Sequence, residues 1–473
     1  MVFSAAQFIF LFMPLSLIGL WILRSFQLDR YLIPYFILLS AAFYIDWNYT
    51  DIIFVGISIL TNYFLACRSQ FSKLTKIVLG VSLNAGYLLL LKLAVSQGAG
   101  GGTVENVSLF GALGLPLGIS FITFQQIAFV VDEAESRDKE KSFVRYLFFV
   151  MFFPQLVSGP IVKHRFIIPQ TLRKSFKRFS VKFFMVGLVY FGIGVGKKVI
   201  IADHLDGFNN LFYANHTDIS VIGAWANMFL YSFKIYFDFS AYADMAVGLG
   251  YMFGIQLPRN FFSPYKATNI AQFWRVWHIS LHRFFKEYVY LRMVGITADN
   301  RWVVFSILAV MVLSSVWHGV GVGYLLWGAG HALAVIAYRA ARRRLNLAWA
   351  ERLPQPLPFV WRMACRGTLF LYVSFLWVPF ATNDVGITFD YWRKLVSINH
   401  IRMSDLPYTD LTHFVYLAVA ALIVFTFPNS HQIALGNRRR LWPIVLSLLV
   451  FAAALPNIVS SAGQTIPFVY FQF

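Results

Sequence analysis

Residues 302–338 read WVVFSILAVMVLSSVWHGVGVGYLLWGAGHALAVIAY. From 305 to 317 no side chain carries a charge, and the run ends on His318 and Gly319. A second apolar segment, 321–338, follows at once and carries His331. Each is close to the length that crosses a hydrocarbon layer of about 30 Å. Outward from this pair, further apolar stretches occupy 5–23, 31–46, 51–67, 77–95, 113–131, 144–160, 181–199, 221–237, 241–256, 364–382, 413–428 and 441–460. Several are short or interrupted by Gly and Pro, so some are expected to be re-entrant or broken helices buried in protein. The expectation is an all-α polytopic membrane protein. One domain over 1–473 would hold roughly ten to thirteen membrane-associated helical elements.

Composition agrees. Hydrophobic residues make up 58% of the 473 and charged residues only 13%, against about 25% in a soluble domain; mean hydropathy is +0.63. The first apolar run is followed by Arg24, Arg30 and another apolar segment, which favours a retained span over a cleaved secretion signal. The net charge of +19 invites a nucleic-acid reading. The basic residues, however, sit in short runs between apolar segments: Arg68, Lys73 and Lys76; Arg173, Lys174, Lys177 and Arg178; Arg342, Arg343 and Arg344; Arg438, Arg439 and Arg440. Cytoplasmic loops carry such charge, and it suits contact with lipid headgroups. A basic face interleaved with stacking aromatics is absent, so nucleic acid is not an expected partner. The same bias places both chain ends outside and the basic loops in the cytoplasm.

Between 231 and 292 the chain departs from plain apolar helices. Asp238 and Asp244 lie in apolar context, with Lys234 four residues before the first. Charges at membrane depth are costly unless paired or hydrated. Lys234 and Asp238 fall on one helical face, which suits either a buried ion pair or a part in substrate binding. The stretch 270–292 reads as one amphipathic, interfacial helix, with Arg275, His278 and His282 at helical spacing among Trp274, Trp277 and Phe284. Its cations either anchor it at headgroup level or face an anionic donor. His278 and His282 are four apart, but no HExxH pattern accompanies them, so no metal is expected. Cys67 and Cys365 are far apart and read as packing residues. There is no GxSxG elbow for a serine esterase, and the glycines of GIGVG at 192–196 read as helix-packing positions.

His318 is the strongest candidate for chemistry. A histidine, with an ordinary pKa of about 6.5, can take a proton from an attacking hydroxyl near neutral pH. Gly319 beside it permits close approach of substrate. His331 is either its partner or a packed core histidine.

At these residues the sequence resembles the membrane-bound O-acyltransferase family, most closely its alginate O-acetylation branch. The resemblance runs through MVFSAAQFIFLF (1–12), LPLGISFITFQ (115–125), FFPQLVSGPI (152–161), GKKVIIAD (196–203), YSFKIYFDFSAYADMAVGLG (231–250), LPRNFFSPY (257–265), FWRVWHISLHRF (273–284), SSVWHG (314–319) and PFVYFQF (467–473). It implies a many-helix core around a central tunnel that approaches a histidine from two sides. The family's central histidine falls on His318 and its second on His278. Trp274, Arg275, Trp277, Asn269, Asp238 and Asp244 match positions expected to support the donor, the tunnel or the fold. The resemblance further implies transfer of acetyl from a cytoplasmic thioester, acetyl-CoA, without a tightly bound cofactor. The acceptor is an exported polysaccharide, reached through an exported SGNH-type acetyltransferase or a polysaccharide synthesis complex in the bacterial inner membrane. Two departures bear on the donor. Val276 stands where the alginate branch carries a second arginine, and YVYLRMVGITADNR (288–301) is similar to the teichoic-acid D-alanyl transfer branch, which uses a carrier-protein thioester. A passive transporter of polymer or donor is the competing class.

Overall fold

A computed structural model of the chain describes residues 2–47, 51–98, 116–156, 159–206, 220–295, 299–344, 357–397, 411–436 and 441–460. The string at 467–473 and the basic run at 438–440 lie outside them. Every regular element among the described residues is helical. That is the solution open to a lipid-embedded chain, because a helix satisfies its backbone polar groups within one segment. Among the described residues seven helices are long and apolar enough to cross a membrane, or eight if one bent pair forms a single span. They include Phe8–Ser25, Asp51–Arg68, Asn300–His318 and Trp442–Ser460. Side chains such as Leu15, Ile18, Leu448 and Val459 stand exposed on them, the apolar surface that faces lipid. The protein is a multi-pass membrane protein.

Four expected spans take a different form. The separate spans 221–237 and 241–256 form one continuous helix, Val221–Met252, of 32 residues. At a rise of about 1.5 Å per residue it reaches ~48 Å, well beyond the hydrocarbon thickness. The polar stretch around Asp238 does not interrupt it, because Lys198 neutralises Asp238 at 2.8 Å and the Ser232 hydroxyl donates to the Met228 carbonyl of its own helix. The expected span 144–160 is broken into Phe143–Met151 and Phe153–Leu156, with Phe152 in a non-helical conformation just before Pro154. In the region of the expected span 413–428, Phe414–Thr426 is followed at a 50° bend by Ser430–Gly436. Pro428 removes a backbone donor and disfavours helix in the residue before it, and the Asn429 side chain starts the next turn by accepting from the Gln432 N–H.

The described helices cluster into two compact units. The first comprises Met1–Val195, Tyr242–Arg259 and Ala434–Gln472; the second is built from Gly196–Ala241 and Asn260–Ile433. An aromatic core fills the first unit, where Phe3 stacks on Tyr242 at 4.7 Å and Phe153 meets Phe12 edge-on at 5.5 Å. Arg24 is buried beside this core and donates to the carbonyls of Phe176 and Phe253 at 2.9 and 2.8 Å. A bulky side chain could not enter where Gly187 and Gly248 meet. A Cβ on Gly248 would lie 2.7 Å from the Phe191 nitrogen and 2.8 Å from the Gly187 carbonyl. Small residues let membrane helices approach this closely. Gly248→Val is expected to lower stability by about 1–3 kcal/mol, the usual cost of overpacking. A melting curve in detergent identical to wild type would contradict that close crossing.

Candidate functional site

The candidate residues, Asp244 excepted, gather in the second unit. Its centre is a hairpin of helices Asn300–His318 and Val322–Arg344. The helices approach closely because Gly328 has no side chain; a Cβ there would meet the Met311 carbonyl at 2.9 Å. His318 is the last residue of the first helix and is 3% exposed. Its ring lies in an aromatic box, with ring centroids 4.6 Å from Trp317, 4.8 Å from Phe380 and 5.3 Å from Trp327.

The expected amphipathic helix over 270–292 is not continuous. It breaks into Ile270–Val276, Ile279–Phe285, a π-helical turn Lys286–Tyr290 and Leu291–Val294. The first break falls at His278, whose backbone is left-handed (φ 42°). Asn260 fixes that conformation from outside the segment. Its carbonyl accepts from the Ile279 N–H at 2.9 Å, and its side-chain oxygen accepts from the Ser280 N–H and hydroxyl at 3.1 and 2.8 Å. The His278 Nδ1 accepts from the Leu281 N–H at 3.4 Å and so begins the next helix. Burial pushes this imidazole down to about 3. It is neutral at physiological pH, and with Nδ1 accepting, the proton resides on Nε2. The His278 ring meets Phe239 at 4.7 Å and Trp317 at 6.0 Å. The two family-implied histidines therefore both pack on Trp317.

The other candidates divide by role. Asn269 caps the helix Ile270–Val276 by accepting from the Gln272 N–H at 2.8 Å. Trp277 is a core residue, stacked on Phe273 and tilted 5.2 Å from Trp377. Trp274 and Trp277 are buried in protein, so the interfacial anchoring expected of them is not their position. Arg275 is exposed, and its Nε donates to the Ala271 carbonyl at 3.2 Å. The ion pairs of the long helix are not internal to it. Lys234 pairs with Asp206, while Asp238 pairs with Lys198, which also meets Asp203 at 2.8 Å. Among the described residues no group of three His, Cys, Asp or Glu side chains is arranged to hold a metal ion.

A cavity of about 650 Å³ opens beside the hairpin. Arg275, Lys286, Arg339, Arg342 and Arg343 contribute five cations to its wall, and among the described residues no carboxylate lines it. His282 also lines it; burial, then the nearby Lys286 and Arg275 charges, push its imidazole down to about 4, so it adds no charge at neutral pH. Ile307, Val310 and Met311 give the cavity an apolar part of its wall. Trp274 closes one side of the cavity. From it a chain of rings leads to His318: Trp274 to His331 at 4.9 Å, His331 to Trp327 at 5.1 Å, Trp327 to His318 at 5.3 Å.

A motif reading does not single out Trp327, Lys198 or the three arginines as site residues. The arginines had a signal: Val335, Tyr338, Arg339 and Arg342 recur on one helical face, which is the face turned to the cavity.

This apolar many-helix chain, with a buried histidine at the end of a helix, matches a known family of membrane proteins. The membrane-bound O-acyltransferase family model matches residues 39–378. The chain is 32% identical over 448 residues to the peptidoglycan O-acetyltransferase of Helicobacter pylori, covering 86% of this chain and 82% of that protein. It is 30% identical over 451 residues to a Pseudomonas aeruginosa protein named "Probable alginate O-acetylase", covering 91% and 82%. Similarity to the teichoic acid D-alanyltransferase of Bacillus subtilis is 30% over 230 residues, 47% of this chain and 58% of the other. The chain belongs to the membrane-bound O-acyltransferase family and is an acyltransferase.

Proposed function

We propose that the protein takes acetyl from acetyl-CoA at the cytoplasmic face of a bacterial inner membrane and passes it, at His318, to the O-acetylation of an exported cell-envelope polysaccharide. The observation that carries this reading is the cavity whose described lining holds five cations and no carboxylate, with ring contacts through Trp274, His331 and Trp327 to His318. A CoA thioester presents phosphates to such a cavity and a neutral acyl arm to the apolar part of its wall.

The His318 imidazole accepts the proton of the acceptor hydroxyl as its oxygen attacks the thioester carbonyl. The tetrahedral adduct collapses, the carbon–sulfur bond breaks, and the departing sulfur takes the proton from the imidazolium. Ester and free thiol are the products. His278, neutral and fixed against Trp317, supports the position of the reacting groups. An exported SGNH-type acetyltransferase or a polysaccharide synthesis complex completes delivery to the polymer. D-alanyl transfer from a carrier-protein thioester is the second reading, favoured by the similarity to the B. subtilis D-alanyltransferase over 230 residues.

Transfer of labelled acetyl from acetyl-CoA, and of labelled D-alanine from a charged carrier protein, should be compared in membranes holding the protein. Transfer from acetyl-CoA alone is the expected result; transfer from the carrier alone would replace this reading with the second. Arg342→Glu with Arg343→Glu should raise the donor KM by roughly tenfold or more, the equivalent of at least about 1.4 kcal/mol. The effect should shrink as salt is added. An unchanged KM at low salt would remove the cavity from the donor path.

A further inference from the structure

Trp274, Trp327 and His331 form a cluster whose polar atoms have no use within the protein. They are 8%, 1% and 0% exposed. Their rings touch pairwise, at 4.9 Å between Trp274 and His331, 5.1 Å between Trp327 and His331, and 5.8 Å between Trp274 and Trp327. Among the described residues, neither indole N–H nor either nitrogen of His331 has a hydrogen-bond partner. Burying such groups without partners is costly, and native interiors avoid it unless a ligand or water fills the role. Packing alone does not explain the choice, since phenylalanine and leucine would fill the same space without that penalty.

Position supplies the reason. Trp274 lines the cavity, Trp327 touches His318, and His331 lies between them. The ring contacts that link the cavity to His318 therefore run through this cluster. A neutral imidazole carries one N–H and one acceptor nitrogen. With two indole N–H groups the cluster therefore offers three donors and one acceptor. The pantetheine arm has two amides and, when charged, a thioester carbonyl, which supply three carbonyl acceptors, one N–H for the imidazole acceptor and one N–H to spare. The complement is close to one for one. The arm is common to CoA and to carrier-protein thioesters, so the match does not depend on which of the two delivers the acyl group.

We propose that His331, together with the indole N–H groups of Trp274 and Trp327, is the hydrogen-bonding station that holds the pantetheine arm of the acyl donor between the cationic cavity and His318. This rests on the reading of the protein as a thioester-dependent acyltransferase. His331 is here a donor-binding residue, and the proton chemistry remains with His318.

The test uses S-acetyl-phosphopantetheine as probe, titrated against the full-length protein in detergent. His331→Phe, which keeps a ring in place but cannot hydrogen-bond, should weaken binding by about tenfold or more, while His331→Asn should recover most of it. Trp274→Phe, which removes only one N–H and part of a ring, should weaken binding by a smaller factor. Melting temperature, measured on each variant, separates loss of the station from loss of the fold. The expected pattern is weakened probe binding at a wild-type melting temperature, with rescue by asparagine. Equal affinity in wild type and His331→Phe overturns the proposal, as does failure of the wild type to bind the probe. Weakened binding that tracks the melting temperature in all three variants, asparagine included, also overturns it. Failure of the underlying reading is a different result: wild-type membranes that transfer acyl groups from neither acetyl-CoA nor a charged carrier.

Discussion

His318→Ala should abolish acyl transfer, by a factor on the order of 10²–10⁴ if the imidazole acts as general base, while the protein still inserts in the membrane at wild-type abundance. Gly319 continues the backbone by donating to the Ser315 carbonyl at 3.3 Å, and the box of Trp317, Trp327 and Phe380 is held by contacts that include Trp327 stacked on Trp377 at 5.8 Å. Removing the imidazole leaves a hole in a box whose other rings hold one another, so the fold is expected to tolerate the change better than the chemistry does. His318→Gln, closer in volume and able to hydrogen-bond, should be as inactive as alanine, since an amide does not take up a proton near neutral pH. Equal transfer by wild type and both variants would reject His318 as the proton acceptor. The assay also decides the competing class: a passive conduit for donor or polymer would keep its flux without the imidazole.

The fold class was legible because the membrane imposes it. Recurrent apolar stretches near the length of the bilayer leave helices as the available solution, and the charge-free approach to His318 marked its position. Local periodicity failed where distant residues decide. Spacing makes 270–292 one amphipathic helix, yet Asn260, outside the segment, holds Ile279 and Ser280 and lets His278 turn left-handed. Spacing pairs Lys234 with Asp238, yet each finds its partner at Asp206 or Lys198, residues more than twenty positions away. An i,i+4 relation shows only that two side chains share a face. Arg339, Arg342 and Arg343 carried two readings in one signal, because a basic helix end satisfies a topology rule and lines an anionic site equally well. Their shared wall, and the absence of a carboxylate from its described residues, exists only in three dimensions.

Lys198→Met should be the most destabilising single change in the second unit, at about 3–5 kcal/mol, the range seen when one member of a buried ion pair is removed. Lys198 is 7% exposed and lies 2.8 Å from both Asp203 and Asp238. Its removal deprives two nearby carboxylates, the part-exposed Asp203 and the buried Asp238, of their shared cation, and the buried one must then take up a proton or draw in water. Methionine matches lysine in length and packs well, so the loss would report the missing charge rather than a cavity. Lys198→Arg should retain most of the stability. The double variant Lys198→Met with Asp238→Asn should recover part of the loss, because one of the two stranded charges is gone. Thermal unfolding in detergent, followed with membrane abundance, reads all three. A wild-type melting temperature for Lys198→Met would mean that these carboxylates are already neutral or hydrated without the lysine. The pairing would then be no strut for the long helix, and Asp238 would return to consideration as a group held for substrate.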